Sequence, residues 1–222
     1  MTEKDAVEQE FDYFVAIKEA STAIDDGVGF KLTPDGKSIY YYHSFEDEDS
    51  DSSTLIRDLY KINISGKKVG KSEKYDTDIF MNRGISIAEN GTVFYFKDYK
   101  DNKATLYKDK KEVASDVYVS SLNYSAASDT VVYYVDYKTE DKGSSGTLYF
   151  SKNGKKPVKV DEEVYRFVFT PDGQIVYLKD RNGKNGEGDL YVNKLTKKSK
   201  KIDEDVSGLS RVYSWAELEK AF

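Results

Sequence analysis

Val160-Asp-Glu-Glu-Val164 is the clearest copy of a short pattern that decides the fold: acidic residues enclosed by aliphatic or tyrosine residues. The pattern occurs five times in the 222 residues, at spacings of 51, 38, 47 and 42 residues. The other copies are Ile24-Asp-Asp-Gly-Val28, Tyr75-Asp-Thr-Asp-Ile79, Val113-Ala-Ser-Asp-Val117 and Ile202-Asp-Glu-Asp-Val206. We call these five segments the acidic cadences. Their regular spacing indicates an array of similar structural units.

Each interval between cadences contains the same succession of strand patterns. A short alternating strand ends at a turn, which is Thr33-Pro-Asp-Gly36, Ala88-Glu-Asn-Gly91, Ala127-Ser-Asp129 or Thr170-Pro-Asp-Gly173. A denser apolar run follows, with a tyrosine four residues past the turn at Tyr40, Tyr95, Tyr133 and Tyr177. A third strand and a lysine-rich turn lead to a fourth strand, which ends in the cadence. Each unit is therefore expected to be an antiparallel meander of four strands, a to d.

One four-stranded sheet cannot bury both of its faces, whereas successive sheets stacked around an axis can. The sequence therefore predicts an all-β fold, a β-propeller of four-stranded antiparallel blades that forms a single domain over residues 1–222. The expected blades are residues 27–79, 84–117, 118–164 and 165–206. Residues 10–24 and 208–214 are expected to form a composite fifth blade that closes the ring. The alternative is that the chain is a fragment of a larger propeller.

The fourth unit carries a family resemblance. Its segments Phe169-Thr-Pro-Asp-Gly173, Ile175-Val-Tyr177, Lys179-Asp-Arg181 and Asp189-Leu-Tyr191 resemble the blade consensus of TolB-type, WD40-like β-propellers. The resemblance covers about residues 24 to 213. The third unit departs from it because its turn lacks the glycine. The resemblance implies a fold and a bacterial cell-envelope or extracellular setting, but such blades occur in proteins of many functions.

Composition excludes several classes of function. The chain has no cysteine, so disulfides and thiol chemistry are ruled out, and a reducing cytosol and a cell envelope both fit. A net charge of -6 disfavours nucleic acid as a partner. No apolar run is long enough to insert into a membrane. The only histidine, His43, stands beside Ser44, and neighbouring residues on a strand point to opposite faces. No catalytic residue is therefore assigned.

Charge is sorted by loop type. Antiparallel geometry places the b–c and d–a connections on one rim, the top face, and these segments hold 24 of the 40 acidic residues. The segments around the c–d turns hold 17 of the 34 basic residues. The expected acidic top face would attract a protein, a peptide or a cationic ligand. The alternative is that the acids are solvated loop residues and that the lysines protect an exposed sheet edge.

The candidate ligand-binding residues lie in the b–c loops. They are Asp98, Asp101, Asp136, Asp141, Asp180, Asn182 and Asp189. Calcium is a candidate ligand, either at the acidic run Glu46–Asp51 or in the loop Asp180–Asp189, whose glycines would let it wrap an ion. This loop departs from the calcium-loop pattern because Lys184 stands where an oxygen is needed. No other cofactor is expected.

Three functions follow from these patterns. The favoured one is a non-catalytic ligand- or protein-binding propeller with an acidic top face. The alternative is a glycan-active or other hydrolase or lyase that uses top-face carboxylates in pairs. The third is a propeller segment that packs against or gates a partner domain, as in propeller-capped peptidases.

Overall fold

The structure, a computed structural model, describes residues 27–43, 56–66, 68–125, 128–140, 143–170, 172–182 and 186–209. The chain divides into two compact units, which are described separately. Unit 1 comprises residues 1–98 and 107–111, and unit 2 comprises residues 99–106 and 112–222.

Unit 1 contains a complete four-stranded antiparallel sheet. Its strands pair in sequence order: β1 (Gly27–Leu32), β2 (Ser38–His43), β3 (Ile56–Ser65) and β4 (Lys68–Phe80). A 3₁₀ turn at Met81–Arg83 follows, and the short strand β5 (Ser86–Ile87) pairs with β6 (Val93–Lys100). The cadence Tyr75–Ile79 lies inside β4, so its acidic residues belong to a strand and not to a loop.

Unit 2 contains two further antiparallel meanders. The first consists of β9 (Asn123–Ser125), β10 (Thr130–Glu140), β11 (Gly143–Lys152) and β12 (Val158–Val164). The second consists of β13 (Arg166–Phe169), β14 (Ile175–Lys179), β15 (Gly188–Asn193) and β16 (Ser199–Val206). The boundary between the units passes through the second repeat, which contains β6, β7 (Lys103–Lys108) and β8 (Lys111–Tyr118).

The predicted fold class is confirmed: the described residues form antiparallel β-sheets of the propeller type, and no α-helix occurs among them. Each complete meander follows the a-b-c-d order expected of a blade. The composite fifth blade requires residues 10–24 and 208–214, and of these only residues 208 and 209 are described. Ring closure by that blade therefore stays a prediction.

A fully buried tyrosine on each strand b anchors the core. These residues are Tyr41, Tyr95, Tyr133 and Tyr177, all with at most 1% of their surface exposed. Each packs against the ring of a strand c tyrosine, and the ring centroids of the four pairs are 5.4 to 6.2 Å apart. The strand c partners are Tyr60, Tyr107, Tyr149 and Tyr191. Aromatic pairs of this kind contribute about 0.5 to 1.5 kcal/mol beyond the area that they bury.

The sequence alignment of the first repeat is wrong by one residue. Tyr40 was expected to correspond to the other three buried tyrosines, but Tyr41 is the residue that pairs with Tyr60 across the strands. The first turn is longer, because the N–H of Thr33 donates to the carbonyl of Ser38, five residues on. The corresponding bond of the fourth repeat, from Thr170 to Gln174, spans four.

The missing glycine of the third repeat has a structural substitute. Asp129 stands in the place of Gly91 and Gly173 and adopts the same left-handed backbone, with φ of 44°. Aspartate tolerates this region better than most residues do. The Tyr124 hydroxyl donates to the carboxylate of Asp129 at 2.8 Å and holds the turn. The departure from the blade consensus therefore leaves the hairpin intact.

Candidate functional site

Backbone geometry accounts for one acidic position of the cadences. Asp78, Asp116, Glu163 and Asp205 occupy this position, and all four have φ between 52° and 58°. The strand pairings of β4, β12 and β16 shift register beside the cadence, as expected where one strand bulges. Aspartate is enriched at left-handed positions. A large part of the repeating acidic signal is thus explained by the fold.

A second acidic position of the cadence accepts hydrogen bonds from side chains of the next strand b in the chain. In unit 2, Asp161 accepts hydrogen bonds from the Tyr177 hydroxyl and the Lys179 ammonium, both at 2.8 Å. Its Oδ1 also accepts the backbone N–H of the following residue at 2.9 Å. We call this arrangement the Asp–Tyr–Lys triad. It joins the last strand of one meander to the second strand of the next.

Unit 1 contains the same triad. The ammonium of Lys97 lies 2.6 Å from Oδ1 of Asp76, and the Tyr95 hydroxyl donates to the other oxygen. The N–H of Thr77 donates to Oδ1 at 2.8 Å. Because two copies use the same atoms in the same roles, the triad is a structural feature of the repeat.

The triads hold both carboxylates ionised. Burial alone would raise the pKa of Asp161, but hydrogen bonds from Lys179, Tyr177 and the backbone outweigh it, so the pKa lies below its ordinary value. The pKa of Asp76 is lowered against the same effect of burial by Lys97, Tyr95 and the backbone. Burial and the adjacent carboxylate raise the pKa of Tyr95, and burial raises that of Tyr177. These tyrosines therefore stay neutral donors.

The third repeat lacks the triad. Ala114 stands at the aspartate position and Val135 at the lysine position, so acceptor and cation are absent together. Tyr133 remains, and within the described residues its buried hydroxyl has no hydrogen-bond partner. The last cadence has the opposite arrangement. Asp203 accepts the N–H of Glu204 at 2.9 Å, as Asp161 does with Glu162, but no tyrosine or lysine of the described residues donates to it.

Most of the predicted site residues occupy special backbone positions. Asp98, Asp136 and Asp180 each follow the triad lysine position of their strand, and their φ values are 54°, 50° and 55°. All three side chains are exposed. Asp101 is also exposed and forms a left-handed two-residue turn with Asn102. The backbone favours aspartate at each of these positions without any ligand.

The remaining predicted residues have separate roles. Asp189 pairs with Lys201, whose ammonium lies 2.5 Å from its carboxylate. The backbone N–H of Asn182 donates to the carbonyl of Glu187 at 2.6 Å and closes the loop between β14 and β15. Asp141 and the acidic run Glu46–Asp51 lie outside the described residues.

A cleft in unit 2 brings acidic and basic side chains together. It has a volume of about 220 Å³ and is lined by the end of the β10–β11 hairpin, the end of β12 and the chain after β14. The charged residues of the described ranges that line it are Lys138, Glu163, Asp180 and Arg181. Of the predicted site residues that the structure describes, only Asp180 lines it. We call it the rim cleft, because it lies at the b–c and d–a connections.

Arg181 is held in the rim cleft by its surroundings. Its guanidinium lies over the ring of Tyr165, 5.4 Å from the centroid. Gly143, with φ of 113°, leaves room for it, since a Cβ at that position would lie 1.9 Å from a guanidinium nitrogen. Sequence reasoning assigned no role to Arg181, Tyr165 or Lys138. In the sequence, Arg181 lies two residues after the triad lysine Lys179, and Tyr165 directly follows a cadence. These positions could have indicated both residues.

The described residues contain no group of three or more histidine, cysteine or acidic side chains that could hold a metal ion. Within the same part of the chain, no helix has the length and apolar character needed to cross a membrane. Calcium binding by the loop Asp180–Asp189 stays a prediction, because residues 183–185 are not among those described.

Comparison with known proteins gives structural likeness only. No protein-family model matches the chain, and no curated protein matches it. The β-propeller domain of the Trilobed protease from Pyrococcus furiosus is 15% identical, with a TM-score of 0.46 over 81% of this chain and 58% of that one. Pyrococcus horikoshii acylaminoacyl peptidase is 13% identical, with a TM-score of 0.46 over 84% and 34%. The tricorn protease is 17% identical, with a TM-score of 0.35 over 79% and 18%. The chain spans less than two thirds of the length of each.

Proposed function

We propose that this chain is a non-catalytic binding module that holds a peptide segment of a partner protein in the rim cleft. The observation that carries the proposal is the composition of the cleft, which combines Lys138 and Arg181 with Glu163, Asp180 and an aromatic ring. A peptide presents charges of both signs next to amides and apolar groups. Binding sites of this mixed kind fix orientation through a few polar groups.

The finer predictions from the sequence extend this proposal. The acidic top face would draw a cationic segment towards the rim, where Glu163 and Asp180 line the cleft. The TolB-type resemblance of the fourth repeat supports a bacterial cell-envelope or extracellular setting, and the absence of cysteine is compatible with it. Calcium at the loop Asp180–Asp189 would be detected by a higher melting temperature of the chain with calcium than with a chelator.

A variant that fills the cleft tests the proposal. Ser144 lines the cleft, and its hydroxyl exchanges one exposed hydrogen bond, 2.8 Å long, with the hydroxyl of Thr139. Ser144→Phe places a ring in the cleft and removes that bond. Thr139→Val removes the same bond and adds no bulk. The two variants therefore separate occupation of the cleft from loss of the contact.

The assay is selection from a library of random displayed dodecapeptides, followed by titration of the selected peptides. We expect peptides with micromolar affinity that bind the wild type and Thr139→Val alike. Ser144→Phe should weaken them by at least about tenfold, because a filled cleft forfeits the contacts of the anchoring side chain. Failure to select any peptide, or selected peptides that bind Ser144→Phe normally, would refute the proposal.

The alternative, hydrolysis of a glycan, is favoured by one observation: both Glu163 and Asp180 line the same cleft. Glycoside hydrolysis generally needs one carboxyl group as acid and a second as nucleophile or base. The test is turnover of a panel of chromogenic glycosides by the wild type, Glu163→Gln and Asp180→Asn. Turnover that both substitutions abolish would establish this function, and its absence across the panel would exclude it for those substrates.

A further inference from the structure

A second cavity of unit 2 adjoins the rim cleft and has a different charge. Its volume is about 260 Å³, and it shares Ser144, Tyr165 and Arg181 with the cleft. Its other side chains include those of Arg166, Tyr137 and Ser207. Among the residues that the structure describes, no acidic side chain lines it. We call it the arginine cavity.

The two arginines are available for a ligand. No ion pair joins Arg166 or Arg181 to a carboxylate of the described residues, although seven such pairs involve lysines there. Both side chains are exposed. Each guanidinium presents up to five N–H donors in a planar fork, which matches the oxygens of a carboxylate or a phosphate.

Arg181 is positioned in advance. Its guanidinium lies over the Tyr165 ring, and two glycines leave space on its flanks. A Cβ at Gly186 would lie 3.1 Å from one guanidinium nitrogen, and a Cβ at Gly143 would lie 1.9 Å from another. A side chain that is oriented before binding loses less entropy when a ligand arrives.

Hydroxyl groups complete the set of donors. The Tyr165 hydroxyl is not one of them: it is buried and lies against Gly188, where a Cβ would be 2.6 Å from it, so only the ring of Tyr165 borders the cavity. Burial raises the pKa of Tyr165, against the opposing effect of Arg181 and Arg166, so this hydroxyl keeps its proton. Ser144 and Ser207 can donate. The cavity thus offers two cations and two serine hydroxyls, and no acidic residue of the described ranges lines it.

We propose that the arginine cavity binds an oxyanion, a carboxylate or phosphate group that a ligand presents while its neighbouring part lies in the rim cleft. This inference deepens the proposed function and rests on it for the second half of the statement. Arg166 and Arg181 supply the charge and the bidentate donors. Ser144 and Ser207 supply the remaining hydrogen bonds.

The test uses small probes, so that it is independent of any selected peptide. Binding of inorganic phosphate is measured by calorimetry and by thermal unfolding, at constant ionic strength set with sodium chloride. Triglycine with a free carboxylate is compared with triglycine amide. At ten times the dissociation constant, a bound probe should raise the melting temperature by about 3 to 6 °C.

Matched variants assign any binding to the cavity. Arg166→Gln and Arg181→Gln should each weaken the probe about tenfold or more, the loss expected when a hydrogen bond to a charged group is removed. Lys200→Gln removes the same charge from an exposed residue of β16 and should change the affinity less than twofold. Arg181→Lys keeps the charge and loses the planar fork, so several-fold weaker binding is expected even if the glutamine variants fold poorly.

Each outcome decides between the sources or against the proposal. Binding of phosphate assigns a phosphate group, and binding of free triglycine but not its amide assigns a carboxylate. Binding of neither probe, or equal binding by Arg181→Lys and the wild type, would overturn the inference. If Ser144→Phe no longer binds the selected peptides, but the wild type binds neither phosphate nor triglycine, the proposed function stands and the oxyanion site is refuted. If the wild type binds a probe, but no peptide is selected or the selected peptides bind Ser144→Phe normally, the oxyanion site stands and the peptide-binding function is refuted.

Discussion

Asp161→Ala is the most informative substitution in this protein, because a matched control exists in the same chain. Asp161 and Asp203 occupy the same position of two cadences, and each accepts the backbone N–H of the next residue at 2.9 Å. Only Asp161 also accepts hydrogen bonds from a tyrosine and a lysine. The difference between the two alanine variants therefore isolates the tyrosine and lysine contacts.

The magnitude follows from the two contacts. A hydrogen bond to a charged group contributes about 1.5 to 3 kcal/mol, so two give about 3 to 6 kcal/mol if fully buried. A quarter of the Asp161 side chain and a fifth of the Lys179 side chain are exposed, so water screens part of this energy. We expect Asp161→Ala to lower the free energy of unfolding by about 2 to 3 kcal/mol more than Asp203→Ala does.

The assay is equilibrium unfolding in urea, with tyrosine fluorescence and circular dichroism followed together. The slope of the free energy against urea should be unchanged, so the effect should be a lower midpoint for Asp161→Ala. Asp203→Ala should remain within about 0.5 kcal/mol of the wild type, as exposed substitutions usually do. Equal destabilisation by the two substitutions would refute the assignment of stability to the triad.

The triads support three further predictions. Tyr177→Phe should cost about 1 to 2 kcal/mol, whereas Tyr133→Phe should be neutral or stabilising because it removes a buried hydroxyl without a partner; urea midpoints give both values. Ala114→Asp with Val135→Lys should rebuild a triad around Tyr133, so a double-mutant cycle should show a favourable coupling of about 1 to 3 kcal/mol, and additive effects would contradict it. Because the pKa values of Asp76 and Asp161 are lowered, their stabilisation is present above the unfolded-state pKa of 3.8 and is lost as pH falls through the folded-state values. The midpoint of Asp161→Asn should therefore fall less than that of the wild type between pH 5 and pH 2.5, and parallel curves would contradict this.

The repeats made the strands and their order predictable. Turns built on Gly91 or Gly173 and a period of two in the flanking residues are local signals, and local signals determine where a strand begins and ends. The same locality caused the error at Tyr40. Because of one extra residue in the first turn, the tyrosine that pairs with Tyr60 is Tyr41 and not Tyr40, and a fixed distance from the turn could not reveal this.

The acidic signal was recognised, but its meaning depends on contacts between distant residues. Asp161 meets Lys179 across 18 positions of the sequence, and Asp76 meets Lys97 across 21. The sequence predicts Asp98 and Asp136 as ligand residues, whereas the structure shows backbone conformations that favour aspartate there. A sequence pattern records that an acid recurs, and it does not record whether a backbone angle, a cation or a ligand requires the acid.

The chain by itself therefore determined an all-β fold of repeated meanders, since hydrophobic alternation and turn residues act over a few neighbouring positions. The tertiary structure decided which carboxylates form hydrogen bonds within the fold and which side chains share a cavity. Tyr165 and Arg181 meet only because the end of β12 and the chain after β14 come together at one edge of unit 2. Contacts of that kind depend on how strands pair and stack, and the identity of the residues along the chain does not encode them locally.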